Sequence, residues 1–482
     1  MSMSSIKSSF KTFFKPLAAP RVMLFFPAIL FKLISSGLST VAYVLHSVPL
    51  SIAGMVFWVI WMATLFLIAL PQTDRLLAGV ARWLKPFSLT LLVVLVVGGI
   101  LEYAVAGAAS AGVSLPNFAG PQTAELLKEQ RINLTYNDAT ALCHQAIDNL
   151  LEGKNSYAAA NIITADLRFN SDSDPWSKTT PIRTGRFASD FPYPSDEELK
   201  AVWDEAVLTP SIVPPELETK LNYPAGSFLL AAPFVWGGIG DLRWVYLLAM
   251  IAGLAFAVVK APGDMRLWLL GAALASLEIW QSIASGETGT LVFPFLLGAW
   301  LLWRNKLWLS AICMGVAIAT KQVAWFFLPF YLILIARTLG WKRMSLVVLI
   351  SGGIFVAFNA VFILQDPGLW LSSVLAPMMD KFFPMGVGPV SLVVSGYVKT
   401  QSLLFFSLME IAAMLIALVW YWRNCSRYPH TGIILAVVPL FFAWRSSWWY
   451  FFYFDIMLLA VIIIEDYGRG YARPNWRPET PG

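Results

Sequence analysis

The chain has 482 residues, is 58% apolar and only 13% charged, and carries a net charge of +5; its mean hydropathy is +0.66. A soluble domain carries about a quarter charged residues, so this deficit excludes an ordinary soluble protein and makes lipid the main solvent. The basic residues lie between apolar runs and form no patch, which excludes nucleic acid as a partner.

The N-terminal stretch carries Lys7, Lys11, Lys15 and Arg21 and runs into an apolar segment without a clear small-residue cleavage site. That segment therefore reads as an anchor, not a cleaved signal peptide, and residues 10–16 read as an amphipathic stretch on the membrane surface. With about 20 apolar residues needed per span, twelve segments emerge: 22–45, 49–70, 86–108, 242–259, 267–285, 291–303, 307–320, 323–336, 345–364, 403–422, 431–443 and 450–464. The expected domains are three N-terminal spans (1–108), a large extracytoplasmic loop (109–241), a bundle of about nine spans (242–465) and a tail (466–482).

Lysine and arginine test this map, because they concentrate in cytoplasmic loops. With the N-terminus inside, the inner loops hold Arg75, Arg82 and Lys85, then Lys260 and Arg266, Arg304 and Lys306, Arg337, Lys342 and Arg343, and Arg423 and Arg427. The tail adds Arg469, Arg473 and Arg477, so both termini are expected to be cytoplasmic. Integral residence in a bacterial inner membrane, with the active site on the periplasmic side, is the expectation.

The loop from about 110 to 241 concentrates Asp, Asn, Ser, Thr and Pro. Within it, one amphipathic helix starts at Asn137 or Asp138, repeats Leu142, Ala146, Ile147, Leu150 and Leu151 at helical spacing, and ends at Gly153. Another starts at Ser195, with Glu198 completing a capping box and Leu199, Val202, Trp203 and Ala206 as its apolar face. A second loop, 365–401, is semi-apolar and rich in Gly and Pro. It is expected to lie on the membrane surface or dip into a cavity, since lipid does not tolerate exposed irregular backbone.

Ionisable residues inside spans are costly and often functional; here they are Lys32, Glu102, Glu278, Glu410 and Asp455. They read as interhelical pairs or as functional groups, not as a proton-relay chain. Four outer cations break the charge bias: Lys321, Lys381, Lys399 and Arg445. Each reads either as an interfacial anchor beside aromatics or as a ligand for a phosphate at membrane depth. Asp138 reads either as a helix N-cap or as a general base above the membrane. Asp166, Asp190 and Glu287 are further acidic candidates, Glu287 lying in the short outer loop SGETGT. Asn133 opens a glycosylation sequon of little weight.

Cys143, Cys313 and Cys425 show no CxxC or Cys/His spacing, and His46, His144 and His430 are scattered, so neither a disulfide framework nor a zinc site is indicated. A divalent metal stays an open option with no dense carboxylate cluster to hold it. The Asp172/Asp174 pair reads as a flexible turn.

Several strings together resemble the GT-C superfamily of integral membrane glycosyltransferases, which use polyprenyl-phosphate sugars, in particular its mannosyltransferase-like members. NDATALCHQAIDNLLEGKNSY, with Asp138, Gly153, Asn155, Ser156 and Tyr157, resembles that family's Asp, apolar helix and Asn-Pro-Tyr-like turn. NYPAGSFLLAAPF, with Tyr223 and Pro224, resembles its entry into the next membrane helix. The run from SGETGT through ATKQVAWFFLPF resembles its paired helices, and WRSSWWYF an aromatic outer motif.

The resemblance implies an all-α polytopic fold of about 12 transmembrane helices, GT-C-like, with amphipathic helices in its large non-cytoplasmic loop. It implies Asp138 as catalytic base in an inverting transfer of a hexose or pentose to a glycan or glycolipid acceptor. Lys321 and Arg445 become ligands of the donor phosphate, and Glu287, Tyr157, Asn155, His144 and Gln322 join them as substrate-binding candidates. The implied cosubstrate is the lipid-linked donor, and the bilayer is the partner. The pair of spans within 22–70 stands as an addition to that layout. The rival readings are a transporter or lipid flippase, for which twelve spans is also a common layout, and a non-catalytic scaffold.

Overall fold

The computed structural model describes residues 20–45, 47–110, 135–170 and 174–468. His46, Asn133, Asp172, the 10–16 stretch, Lys7, and Arg469, Arg473 and Arg477 of the tail lie outside them. The described chain is mostly helical, with one two-residue parallel ladder pairing Met385–Gly386 with Arg445–Ser446. All three cysteines are free thiols.

Seven helices are long and apolar enough to cross a membrane: Pro20–Tyr43, Val48–Ala69, Ala81–Ala104, Leu242–Lys260, Trp341–Gln365, Leu403–Asn424 and Trp448–Tyr467. An eighth span results if Arg266–Ala275 and Leu277–Ala284, bent by 55° at their junction, count together. The protein is thus a polytopic integral membrane protein. The bend sits at Ser276, whose backbone (φ −79°, ψ 74°) leaves the helical region while ending one helix and opening the next. Hydropathy alone read 267–285 as one unbroken span.

The remaining four expected segments fold as shorter helices, Gly289–Leu302, Leu307–Thr320, Val323–Leu339 and Thr431–Phe441. They are short because protein surrounds them: Gly289–Leu302 buries eleven of its fourteen residues, so its length need not match the hydrocarbon thickness. Conversely, Val93, Val97, Ile100, Leu349, Leu364, Leu408 and Leu415 are bare on the outer helices. Such faces are stable only against lipid tails.

The N-terminal hairpin, Phe25–Leu45 and Val48–Ala69, is not peripheral. Ser35 Oγ donates to Gly54 O at 2.6 Å within it, and Trp58 and Trp61 pack on Phe451 with ring centroids 5.0 and 6.1 Å apart. At the other end, buried Arg21 pairs with Asp466 at 2.6 Å and Asp74 at 3.1 Å. Asp466 also meets His430 at 3.1 Å, and Tyr467 donates to Asp74 at 2.8 Å. First and last helices are therefore fastened by charge.

In the large loop, Ser195 and Glu198 close a reciprocal capping box, and Leu199, Val202, Trp203 and Ala206 are buried. The two polar regions knit together. Pro181 bridges Leu217 and Ile182 bridges Phe382, while Arg183 N donates to Lys381 O at 2.8 Å. Lys220 pairs with Asp380 at 2.6 Å. The second loop in turn pairs with the Arg445 strand, and Gly386 permits it. Its φ is +128°, and a Cβ there would lie 2.1 Å from Ser446 O, a contact only glycine avoids.

Candidate functional site

The helix Asp138–Leu151 is capped by Asn137, whose side chain accepts from Thr140 N at 2.8 Å. The capping position thus belongs to its neighbour, and Asp138 is not the N-cap. One Asp138 oxygen accepts from Ala139 N at 2.7 Å and the other from the Thr180 hydroxyl at 2.5 Å. The carboxylate is half-buried and ordered by these two donors.

The same turn docks onto the short outer loop SGETGT. Asn137 N donates to Ser285 O at 2.9 Å, Thr140 Oγ1 donates to Gly286 O, and Asn137 Nδ2 donates to Glu287 Oε1 at 2.8 Å. Gly286 has a φ of +81°, which favours glycine. Glu287 Oε2 then meets Lys321 Nζ at 3.3 Å. Lys321 occupies the break between Leu307–Thr320 and Val323–Leu339, with its ammonium 5.2 Å from the centroid of the Tyr223 ring. Both charges are buried. Burial pushes the Glu287 carboxyl upward, and Lys321 opposes that shift.

Arg445 is half-buried. Its guanidinium lies 4.6 Å from the Phe382 ring centroid and 3.9 Å from Met385 Sδ. It makes no salt bridge among the described residues. Tyr193 and Tyr450 each feel both Arg445 and Asp138, and Tyr450 also feels Glu287, so the three charges share one electrostatic neighbourhood. Lys381 and Lys399 are exposed on the second loop; the four outer cations do not converge.

The other candidates bind the protein to itself. Asn155 Nδ2 donates to Gln365 Oε1 at 2.8 Å, Ser156 Oγ to Ala146 O at 2.8 Å, and Tyr157 OH to Tyr223 O at 2.8 Å. Gln322 Nε2 donates to Asn222 O at 2.6 Å and Val374 O at 2.8 Å. His144 stacks on Phe169 at 4.2 Å; burial, aided by Arg168, lowers its pKa to about 4, so its ring is neutral at pH 7. Each of these side chains thus meets a partner within the protein. Among the described residues no group of three or more His, Cys, Asp or Glu is placed for a metal ion.

Behind Asp138 lies a group that local spacing does not reveal. Asp166 is fully buried, and burial pushes its carboxyl up to about 8. Asn170 donates to one oxygen at 2.8 Å. Burial lowers Lys178 to about 8 against the pull of Asp166 and Asp138, and raises Glu218 to about 7. Asp190 lies near Glu198, outside this group.

The native pKa of Asp166 lies above its unfolded value of about 4. Its contribution to stability is therefore complete below about pH 4 and is lost as pH rises through about 8. Asp166→Asn removes that titration. Between these limits its melting temperature in detergent should fall less than that of the wild type; parallel curves would show that this carboxyl ionises freely in the fold.

Comparison with protein-family models, curated proteins and solved structures gave no match.

Proposed function

We propose that the chain is an inverting glycosyltransferase of GT-C type that moves a sugar from a polyprenyl-phosphate donor to a glycan or glycolipid acceptor. It works on the extracytoplasmic side of a bundle of about twelve membrane-inserted helices with both termini cytoplasmic. The observation that carries the reading is the state of Asp138. Relieved of capping by Asn137, it holds an oriented carboxylate beside the buried Lys321–Glu287 ion pair.

In this mechanism the donor phosphate binds near Lys321 and Arg445, which stabilise the charge it gains on leaving. The acceptor hydroxyl gives its proton to Asp138 as its oxygen attacks the anomeric carbon. The bond from that carbon to the phosphate oxygen breaks, and polyprenyl phosphate leaves as the anion. Glu287 fixes the Lys321 ammonium until the phosphate shares it, and Thr180 aims the base.

Arg445→Ala should raise KM for the donor by about 10- to 100-fold, the size of a lost charge-assisted hydrogen bond, with Arg445→Lys recovering part of it. An unchanged donor KM removes Arg445 from the site. The activity itself is tested with purified protein and a panel of polyprenyl-phosphate sugars, without any ion gradient. Neither transfer nor donor hydrolysis from any of them would sink the assignment.

One observation favours the transporter reading instead. The broken helix at Ser276 carries Glu278 into an intramembrane cluster, an arrangement transporters use for coupling ions. Gradient-driven uptake in vesicles, without transfer in detergent, would select it.

A further inference from the structure

Lys32, Glu278 and Asp455 come from three parts of the chain: the N-terminal hairpin, the second half of the broken helix and the last helix. Lys32 Nζ lies 2.5 Å from Glu278 Oε2 and 3.5 Å from Asp455 Oδ2. It also donates to Phe451 O at 2.9 Å, and the Trp61 ring lies 4.8 Å from it. All three charged residues are at most 5% exposed. With Ser276, Ile29, Leu33, Leu277 and Phe452 they line a small cavity.

Charge counting makes this cluster incomplete. One ammonium faces two carboxyls, so full ionisation leaves one net negative charge inside the apolar bundle. An uncompensated buried ion costs several kcal/mol after relaxation, and among the described residues no cation besides Lys32 acts on either carboxyl. Asp455 Oδ1 accepts from Ile456 N at 2.7 Å. Glu278 Oε1 is buried and has no hydrogen-bond partner among the described residues. Glu102 does not join the cluster and accepts instead from Gln281 at 2.6 Å.

We propose that the Lys32–Glu278–Asp455 cluster is a buried binding site for one hydrogen ion, shared between its two carboxyl groups. The occupied cluster is neutral: one ammonium, one carboxylate, one carboxylic acid. Lys32 also holds the carbonyl of Phe451, six residues beyond Arg445 in the chain. The inference is independent of the transferase reading and holds for a transporter as well.

Infrared spectroscopy of the purified protein at neutral pH tests it through the carbonyl stretch of protonated carboxyl groups, identified by its shift in heavy water. Differences between wild type and variant cancel the contributions of Asp166 and other acids. Glu278→Gln and Asp455→Asn each leave a neutral Lys–carboxylate pair, so each difference should show the loss of one protonated carboxyl. Lys32→Met should show the gain of one, since two carboxyls without a cation both take protons. The two amide variants keep shape and neutrality, so the test stands on them if Lys32→Met does not fold. Unchanged spectra in both amide variants would overturn the proposal. So would a wild-type band that appears only when sodium and potassium are removed, which would make the ligand a metal cation.

Discussion

Replacing Asp138 with asparagine should reduce sugar transfer by about 100- to 10,000-fold, the range that a positioned general base contributes, while leaving the melting temperature nearly unchanged. The two halves of this expectation come from different observations. The loss follows from the chemistry: an amide oxygen can still accept from Ala139 N while its NH2 donates to the rotated Thr180 hydroxyl, but it cannot take the acceptor's proton. The unaltered stability follows from Asn137, which supplies the cap. Asn137→Ala provides the contrasting case. It should cost about 1 kcal/mol of stability as a lost cap and should also loosen Glu287. Full transfer by Asp138→Asn, measured with a polyprenyl-phosphate donor, would remove Asp138 as the base.

Breaking the Glu287–Lys321 pair should have the largest effect on stability. Removing one partner of a buried pair strands the other and costs about 3–5 kcal/mol, whereas exchanging both for uncharged groups is often neutral. Glu287→Gln and Lys321→Met should each melt well below the wild type. The double variant should recover most of that loss. Activity separates the structural role from the chemical one. If Lys321 contacts the donor phosphate, the double variant stays inactive although it is stable. If it transfers sugar at the wild-type rate, the pair serves the fold alone.

What the sequence made legible is what periodicity and charge encode locally. The apolar segments are all helices, and the Ser195–Glu198 box and its buried face follow from a four-residue pattern. What stayed hidden depends on chain reversal. Thr180 reaches Asp138 across 42 positions, Lys321 reaches Glu287 across 34, and Asn137 reaches Glu287 across 150. No local spacing marks these partners. His144, Asn155, Tyr157 and Gln322 show the reverse case. A polar residue in apolar surroundings must find a partner, but the sequence does not say whether that partner is a substrate or a backbone carbonyl, and here it is the protein. The kink at Ser276 was hidden for a third reason: hydropathy measures apolar length and carries no information about direction.

The charged fastening between the first helix and the last sets a timetable for making the protein. Arg21 and its partner Asp466 are 445 positions apart, and Lys32 waits for Asp455. At synthesis rates of 5–20 residues per second, that separation leaves the first helix without these partners for roughly 20 to 90 s. An early helix carrying unmatched cations in lipid is costly. Asp74 and Glu278 are made earlier and supply the first counter-charges, and the end of the chain completes both clusters. Chains cut short before the last helix would leave Arg21 with Asp74 alone and Lys32 with Glu278 alone, so each cation would lose its contact to the end of the chain but keep one counter-charge.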